Sequence, residues 1–206
     1  MDTNASVSEF RLSSRLIGLT GGIGCGKSTV VGFFNDAGWR TIESDAVVRD
    51  LLSANTEVQA QLRGRWGEAV FTGSGVDRRA VAARVFEQES ELRWLEDLLH
   101  PLVREHWQAS IEEAPDADWL VEIPLLFEKR LETLFDLTVC VASPPDVVER
   151  RMVARGYTGA EVAQRRERQM PLEEKVERAD YLISNAGSLE FLKRQTTRLI
   201  EQITTL

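Results

Sequence analysis

Cysteine is scarce in this chain: Cys25 and Cys140 are the only two in 206 residues. Two thiols are too few for a disulfide framework, and the usage fits a reducing, cytoplasmic setting. Long apolar runs are missing as well. No stretch approaches the ~20 apolar residues that a membrane-spanning helix needs. The first 14 residues are polar and carry acids, without the apolar centre of a secretory signal. Residues 1–15 are expected to be a disordered N-terminal extension. Positive charge is in deficit: 25 Lys and Arg against 33 Asp and Glu leave a net charge of −8. That balance argues against general binding to nucleic acid or to an anionic membrane. Repeats, low-complexity tracts and flexible linkers are absent too. Hydrophobic residues are well supplied. At 43% of the chain they suffice for one sizeable core with a small inserted lobe.

The densest signal is at residues 21–28, Gly-Gly-Ile-Gly-Cys-Gly-Lys-Ser. Gly21, four residues, then Gly26, Lys27 and Ser28 fit the P-loop spacing. The flanks agree: residues 16–20 are an apolar run suited to a buried strand, and 28–34 continue with helical spacing. Glycines let successive backbone N–H groups turn inward. Together with the N-terminus of the next helix, these groups cradle phosphate oxygens. Lys27 then bridges the β- and γ-phosphates, and the Ser28 hydroxyl ligates Mg²⁺. The expected ATP-binding set is Gly22, Gly24, Cys25, Gly26, Lys27, Ser28 and Thr29. The motif specifies a nucleoside triphosphate but not what receives the phosphate.

Further strands are expected at 38–42, 119–124, 137–142 and 180–184, making five with the first. A carboxylate at a strand end beside the P-loop is where a doubly wound sheet places ligand-facing groups, which makes Asp45 a candidate general base or metal-linked acid. It equally suits an N-cap for a helix over 46–52. Helical patterns follow at 56–66, 77–87 with Asp77 as N-cap, and 90–113, the last interrupted at His100-Pro101. A turn is expected at 72–75. Together these form a helical lobe over about 46–113, suited to covering an acceptor. His100 contacts substrate or marks a kink, and Trp66, Trp94 and Trp107 belong to the core. Glu122 ends an apolar run, but the Walker B signal is weak. Glu128 is either a site residue or solvated.

Ser143-Pro144-Pro145 is expected to open a helix with Ser143 as N-cap. The following stretch gathers Arg150, Arg151, Arg155, Arg165, Arg166 and Arg168 in an otherwise acidic protein. Two such helices joined at 156–159 describe a lid over about 150–170 that closes on triphosphate. The alternative is a solvated face with a Glu161–Arg165 pair. Arg151, Arg155 and Arg165 are the strongest phosphate candidates, because the guanidinium fork is bidentate toward phosphate. A helix follows at 171–179. Asn185 and Gly187 sit at a strand-end turn suited to an adenine pocket, and Ser188 caps a final helix to about 206. A GTPase-like switch is disfavoured, since neither Asn/Thr-Lys-x-Asp nor Asp-x-x-Gly occurs. A nucleoside or nucleotide kinase would differ only in acceptor.

From about residue 16 onward the chain resembles the dephospho-coenzyme A kinases. The shared residues are Gly-Leu-Thr-Gly-Gly-Ile-Gly-Cys-Gly-Lys-Ser-Thr at 18–29, Asp45, His100-Pro101 and Pro124-Leu125-Leu126-Phe127-Glu128. They continue with Arg151, Arg155, Arg165, Gln169-Met170-Pro171-Leu172-Glu173-Glu174-Lys175, and Ala179-Asp180-Tyr181-Leu182-Ile183 followed by Asn185. The resemblance implies an α/β, three-layer P-loop kinase fold in one domain, 16–206. Its parts would be a five-stranded parallel sheet with helices on both faces, the inserted lobe and the arginine-rich lid. It implies γ-phosphoryl transfer from ATP, with Mg²⁺, to the ribose 3′-hydroxyl of dephospho-coenzyme A, by a cytoplasmic monomer. Asp45 would accept the hydroxyl proton. Lys27, Arg151, Arg155 and Arg165 would stabilise charge, and Asn185 would lie on the adenine side. His100, Pro124, Leu125 and Glu128 would lie on the acceptor side. Three features depart from the family. Cys25 introduces an oxidisable thiol, Glu43-Ser44-Asp45 replaces Asp-Ala-Asp, and residues 1–15 have no counterpart.

Overall fold

The computed structural model describes residues 14–73 and 75–205. Most of the expected extension, Ser74 of the expected turn and Leu206 therefore lie outside the described residues. Ser14 and Arg15 do not follow the expected disorder. The Arg15 amide donates to Asp118 Oδ1 at 2.7 Å and its guanidinium to Thr204 O at 3.1 Å. In chain order the elements begin with β1 (Leu16–Gly21), α1 (Lys27–Asp36), β2 (Arg40–Glu43), α2 (Ser44–Ala54) and α3 (Thr56–Trp66). Next come β3 (Phe71–Thr72), β4 (Gly75–Val76), α4 (Arg78–Glu87), α5 (Glu89–Glu113) and β5 (Trp119–Glu122). The last are β6 (Leu137–Ala142), α6 (Pro145–Ala154), α7 (Gly159–Glu167), α8 (Leu172–Arg178), β7 (Tyr181–Ser184) and α9 (Leu189–Thr204).

Two compact units result, one from the segments up to Glu43 and from Ala114 onward, the other from Ser44–Glu113. The first is built on a five-stranded sheet of order β2-β5-β1-β6-β7, parallel throughout. All six residues of β1 are buried. That is how a central parallel strand covered on both faces reads, as an unbroken apolar run rather than an alternation. Ile17, Leu19, Val139, Val141 and Ile183 from the strands pack with Val30, Phe34, Leu192 and Ile203 from α1 and α9. The sheet flanked by helices agrees with the expected α/β fold. The connection from β1 leads to β2 on one side, while β6 and β7 extend the sheet on the other. Strand order thus reverses beside β1, and ligands of open parallel sheets bind at the carboxyl ends of strands at such a point.

The helical unit has its own core of Leu52, Val58, Leu62, Val70, Val81, Val85, Leu95 and Leu99. Its helix starts follow local chemistry: Asn55 caps α3 and Asp77 caps α4, each side chain accepting two backbone N–H groups. Trp66 and Trp94 pack edge-on at 5.0 Å against this core, and Trp107 is buried. One expectation fails here: α5 is not interrupted at His100-Pro101 but runs unbroken for 25 residues. The proline removes one donor, yet Leu95, Leu99, Val103, Trp107 and Ile111 recur every four residues along one buried face. Each contributes about 1.5–3 kcal/mol of burial, which together outweigh a local cost of about 3 kcal/mol. The carbonyl left without its donor belongs to Asp97, which is exposed. At the expected turn Thr72 pairs antiparallel with Gly75 and Phe71 with Val76, a short ribbon whose Phe71 and Val76 side chains cover the small core.

Candidate functional site

The loop between β1 and α1 carries the clearest chemistry. Gly26 is the N-cap of α1 at φ 94°, a left-handed conformation that glycine adopts without penalty. A Cβ there would lie 2.2 Å from Asn185 Nδ2. The Cys25 carbonyl is pinned from outside the loop: Asn185 Nδ2 donates to it at 2.8 Å and the Ser143 hydroxyl contacts it at 3.2 Å. A trans peptide points its carbonyl and the following N–H in opposite directions. Fixing this carbonyl outward therefore fixes the Gly26 N–H inward, beside the unpaired amides of the first turn of α1. That arrangement is an anion nest.

Lys27 folds back over the nest. Its ammonium lies 3.4 Å from Gly21 O, 3.3 Å from Gly22 O and 3.6 Å from Glu122 Oε1. Glu122, at the end of β5 and only 4% exposed, is level with Leu19 of β1. Ser28, the second residue of α1, is exposed.

Beneath the loop Arg151 donates to Ser143 Oγ at 3.1 Å, to Asn185 Oδ1 at 3.0 Å and to Asn185 O at 3.3 Å. Ser143 is thus not the N-cap of α6. Pro144 holds that position and the hydroxyl instead joins the P-loop, Arg151 and the end of β7. Asn185, expected on the adenine side, is 5% exposed and uses its amide as a brace. Cys25 is 1% exposed, so the thiol of the loop is covered rather than presented. Burial, with Cys25 nearby, pushes the Cys140 thiol up to about 11.

In the arginine-rich hairpin Arg155 closes α6 and is exposed, while Arg165 on α7 is half-buried with its guanidinium 5.2 Å from the Tyr157 ring. Arg150 pairs with Asp146 at the surface. The Glu161 carboxyl is held below its usual range first by the Thr158 amide and then by the Thr158 hydroxyl, a capping box, with Arg165 a lesser influence. Glu161 is therefore committed to starting α7 rather than to neutralising Arg165.

The 124–128 loop is anchored from both sides. Pro124 O accepts from Thr20 Oγ1 at 3.2 Å and from Lys175 Nζ at 2.6 Å. Glu128 Oε1 accepts from the Met170 amide at 2.8 Å and pairs with Lys175 at 2.8 Å. Leu126 and Phe127 are buried, leaving Pro124 and Leu125 partly open. Asp45 and His100 belong to the helical unit. Asp45 is the second residue of α2, so it lies inside the first turn rather than capping it, two residues past the end of β2. His100 is exposed on α5.

One set of expected residues is therefore assembled around the P-loop: Gly22, Gly24, Cys25, Gly26, Lys27, Ser28, Thr29, Arg151 and Asn185. Sequence reasoning passed over Ser143 and Lys175 and left Glu122 weak. Glu122 had a signal in its place at a strand end. Ser143 was masked by the prolines after it.

Gly26→Ala tests the nest. The methyl group must displace Asn185 and hold a left-handed backbone, for about 1–2 kcal/mol of strain and about 1 kcal/mol of lost hydrogen bond. Calorimetric titration is expected to show ATP affinity falling by roughly tenfold or more.

Comparison with known proteins places the chain. The dephospho-CoA kinase family model matches residues 15–190. A dephospho-CoA kinase from Parasynechococcus marenigrum is 37% identical over 186 residues, covering 89% of this chain and 94% of the relative. The dephospho-CoA kinase of Aquifex aeolicus is 34% identical over 190 residues, covering 91% and 97%. The crystal structure of TT1252 from Thermus thermophilus is similar at a TM-score of 0.79 and 37% identity, covering 92% of this chain and 98% of that one. A match of this extent, on a P-loop built as described, means that the chain belongs to the dephospho-CoA kinase family.

Proposed function

We infer that the chain transfers the γ-phosphoryl group of ATP to the ribose 3′-hydroxyl of dephospho-CoA, giving CoA and ADP, the final step of CoA biosynthesis. The observation that carries this reading is the family match across 15–190, which includes both the P-loop and the arginine hairpin. In the transfer a bond forms between the 3′-oxygen and Pγ, and the bond from Pγ to the β,γ-bridging oxygen breaks. The hydroxyl proton passes to the Asp45 carboxylate. Lys27 holds the β- and γ-phosphates. Arg155 and Arg165 neutralise the equatorial oxygens of a loose transition state, where little covalent chemistry is required and alignment and charge dominate. Arg151 and Asn185 act through the loop they brace. Pro124, Leu125 and His100 line the acceptor side. The helical lobe over about 46–113 receives the acceptor, and the hairpin over about 150–170 closes over the triphosphate.

The donor set suits Mg²⁺ arriving with the nucleotide. Ser28 offers an exposed hydroxyl in the first turn of α1, and the described residues contain no group of three or more His, Cys, Asp or Glu side chains that could hold a metal by themselves. Mg²⁺ keeps several waters and takes phosphate oxygens, so one hydroxyl is a fitting protein ligand. When bound it neutralises developing charge on the β- and γ-oxygens. No helix among the described residues is long and apolar enough to cross a membrane, and the working form is taken to be a cytoplasmic monomer.

An acceptor panel tests the reading. With ATP and Mg²⁺, coupled ADP release is expected with dephospho-CoA and at background level with adenosine or AMP. Turnover of AMP or adenosine at the rate seen with dephospho-CoA would make the chain a general nucleoside or nucleotide kinase instead.

A further inference from the structure

We propose that Lys175 is a positioning residue for the acceptor side of the site, and that Glu128 serves with it as a strut rather than as a substrate contact. The inference rests on the function proposed above.

Lys175 is 0% exposed, an unusual place for an ammonium. It sits in Leu-Glu-Glu-Lys-Val-Glu-Arg, where neighbouring charges are solvated. Its partners come from distant parts of the chain. Nζ donates to Pro124 O at 2.6 Å and pairs with Glu128 Oε1 at 2.8 Å. The same Glu128 oxygen accepts the Met170 amide at 2.8 Å, and the same Pro124 carbonyl accepts the Thr20 hydroxyl at 3.2 Å. Three segments are thus joined through one ammonium and the two acceptors it holds. These are the end of β1 that leads into the P-loop, the loop carrying Pro124 and Leu125, and the stretch that returns from the arginine hairpin into α8.

Glu128 does not turn toward a ligand in this arrangement. Oε1 is shared between Met170 and Lys175, and Oε2 is buried with no hydrogen-bond partner among the described residues. A buried ion pair is seldom the most stabilising way to fill such a space; apolar residues of similar volume often do as well. What the pair supplies is direction. An ammonium and a carboxylate fix the carbonyl of residue 124 and the amide of residue 170 relative to each other, whereas an apolar contact would let them slide. The acceptor-side loop and the root of the hairpin are therefore held in register with the strand that carries the phosphate nest.

The test separates positioning from stability. Lys175→Met, Glu128→Gln and the double variant are compared with the unaltered chain. Thermal unfolding, ATP affinity and the kcat and KM for dephospho-CoA are measured well below the unfolding temperatures. Each single variant strands one buried charge and is expected to lower the unfolding temperature. The double variant is neutral and keeps an acceptor for the Met170 amide, so its unfolding temperature returns toward that of the unaltered chain. Its KM for dephospho-CoA is expected to stay raised by about tenfold, the loss of one well-placed interaction, while ATP affinity changes less than about twofold. A double variant with an unaltered KM overturns the proposal, as does one whose ATP affinity falls in step. A KM raised by Glu128→Gln with Lys175→Met silent would put the carboxylate on the substrate, and overturns it too. If the unaltered chain fails to turn over dephospho-CoA, the proposed function fails. The strut is then judged by trypsin cleavage between residues 150 and 168, which the double variant should accelerate and an unaltered cleavage rate would refute.

Discussion

Lys27→Met is expected to reduce kcat by about 10²–10³-fold or more, with the fold intact, because it removes a donor aimed at charge that develops in the transition state. The structure adds a second consequence. Lys27 lies 3.6 Å from Glu122, and the two side chains are 12% and 5% exposed. Methionine fills the same volume but leaves that carboxylate without the cation beside it. Removing one partner of a well-made buried pair costs ~3–5 kcal/mol. At 3.6 Å the contact is looser than a short charged hydrogen bond, so a loss of about 1–3 kcal/mol is expected. Chemical denaturation should report it as a lower midpoint with an unchanged slope. Adding Glu122→Gln should restore the midpoint while leaving turnover at the level of Lys27→Met. Stability and catalysis would then come apart at one residue: the charge of Lys27 matters to the folded apo chain through Glu122, and to the reaction through phosphate. A single-turnover experiment with saturating ATP shows whether the loss lies in the chemical step.

Asp45→Asn is expected to lower kcat by about 10²–10⁴-fold, the range for a positioned general base. The amide keeps the size and hydrogen-bonding capacity of the carboxylate but cannot accept the hydroxyl proton. ATP affinity should be unaltered, because the phosphate nest is made of other residues. Stability should move little. Asp45 lies in the first turn of α2, where its negative charge favours the helix by only about 0.3–1 kcal/mol. The decisive reading is the single-turnover rate with dephospho-CoA as acceptor and ATP saturating, which should fall in step with kcat. Near-full kcat in Asp45→Asn, with ATP bound as tightly as before, would remove Asp45 from the role of base.

The parts of this protein that were legible in its sequence are those decided locally. The P-loop is visible because its glycines answer a backbone requirement within eight residues, and β1 because a strand buried on both faces opens on an apolar run with no polar alternation before Thr20. Caps such as Asp77 and Ser188 are equally local, each side chain accepting amides in the turn that follows it. The misreadings share a cause. Helix α5 continues through Pro101 because a buried face outweighs a local penalty, and a window of a few residues does not contain that face. Ser143 looks like a cap from its neighbours, but its contact with Cys25 spans 118 positions. Lys175 draws no structural reading of its own from its neighbours, because Pro124 and Glu128, which receive its buried ammonium, lie about 50 positions earlier. For Asp45 two readings stand side by side in the sequence, since helix start and acid chemistry call for the same residue type, and the structure places it in the first turn of α2.

The bond from Asn185 to the Cys25 carbonyl crosses 160 positions of the chain, and this bears on biosynthesis. A ribosome delivers residue 25 well before residue 185, so the loop waits for a much later segment before this brace is set. Until β7 docks beside β6, a growing polypeptide holds the glycine-rich loop without this brace.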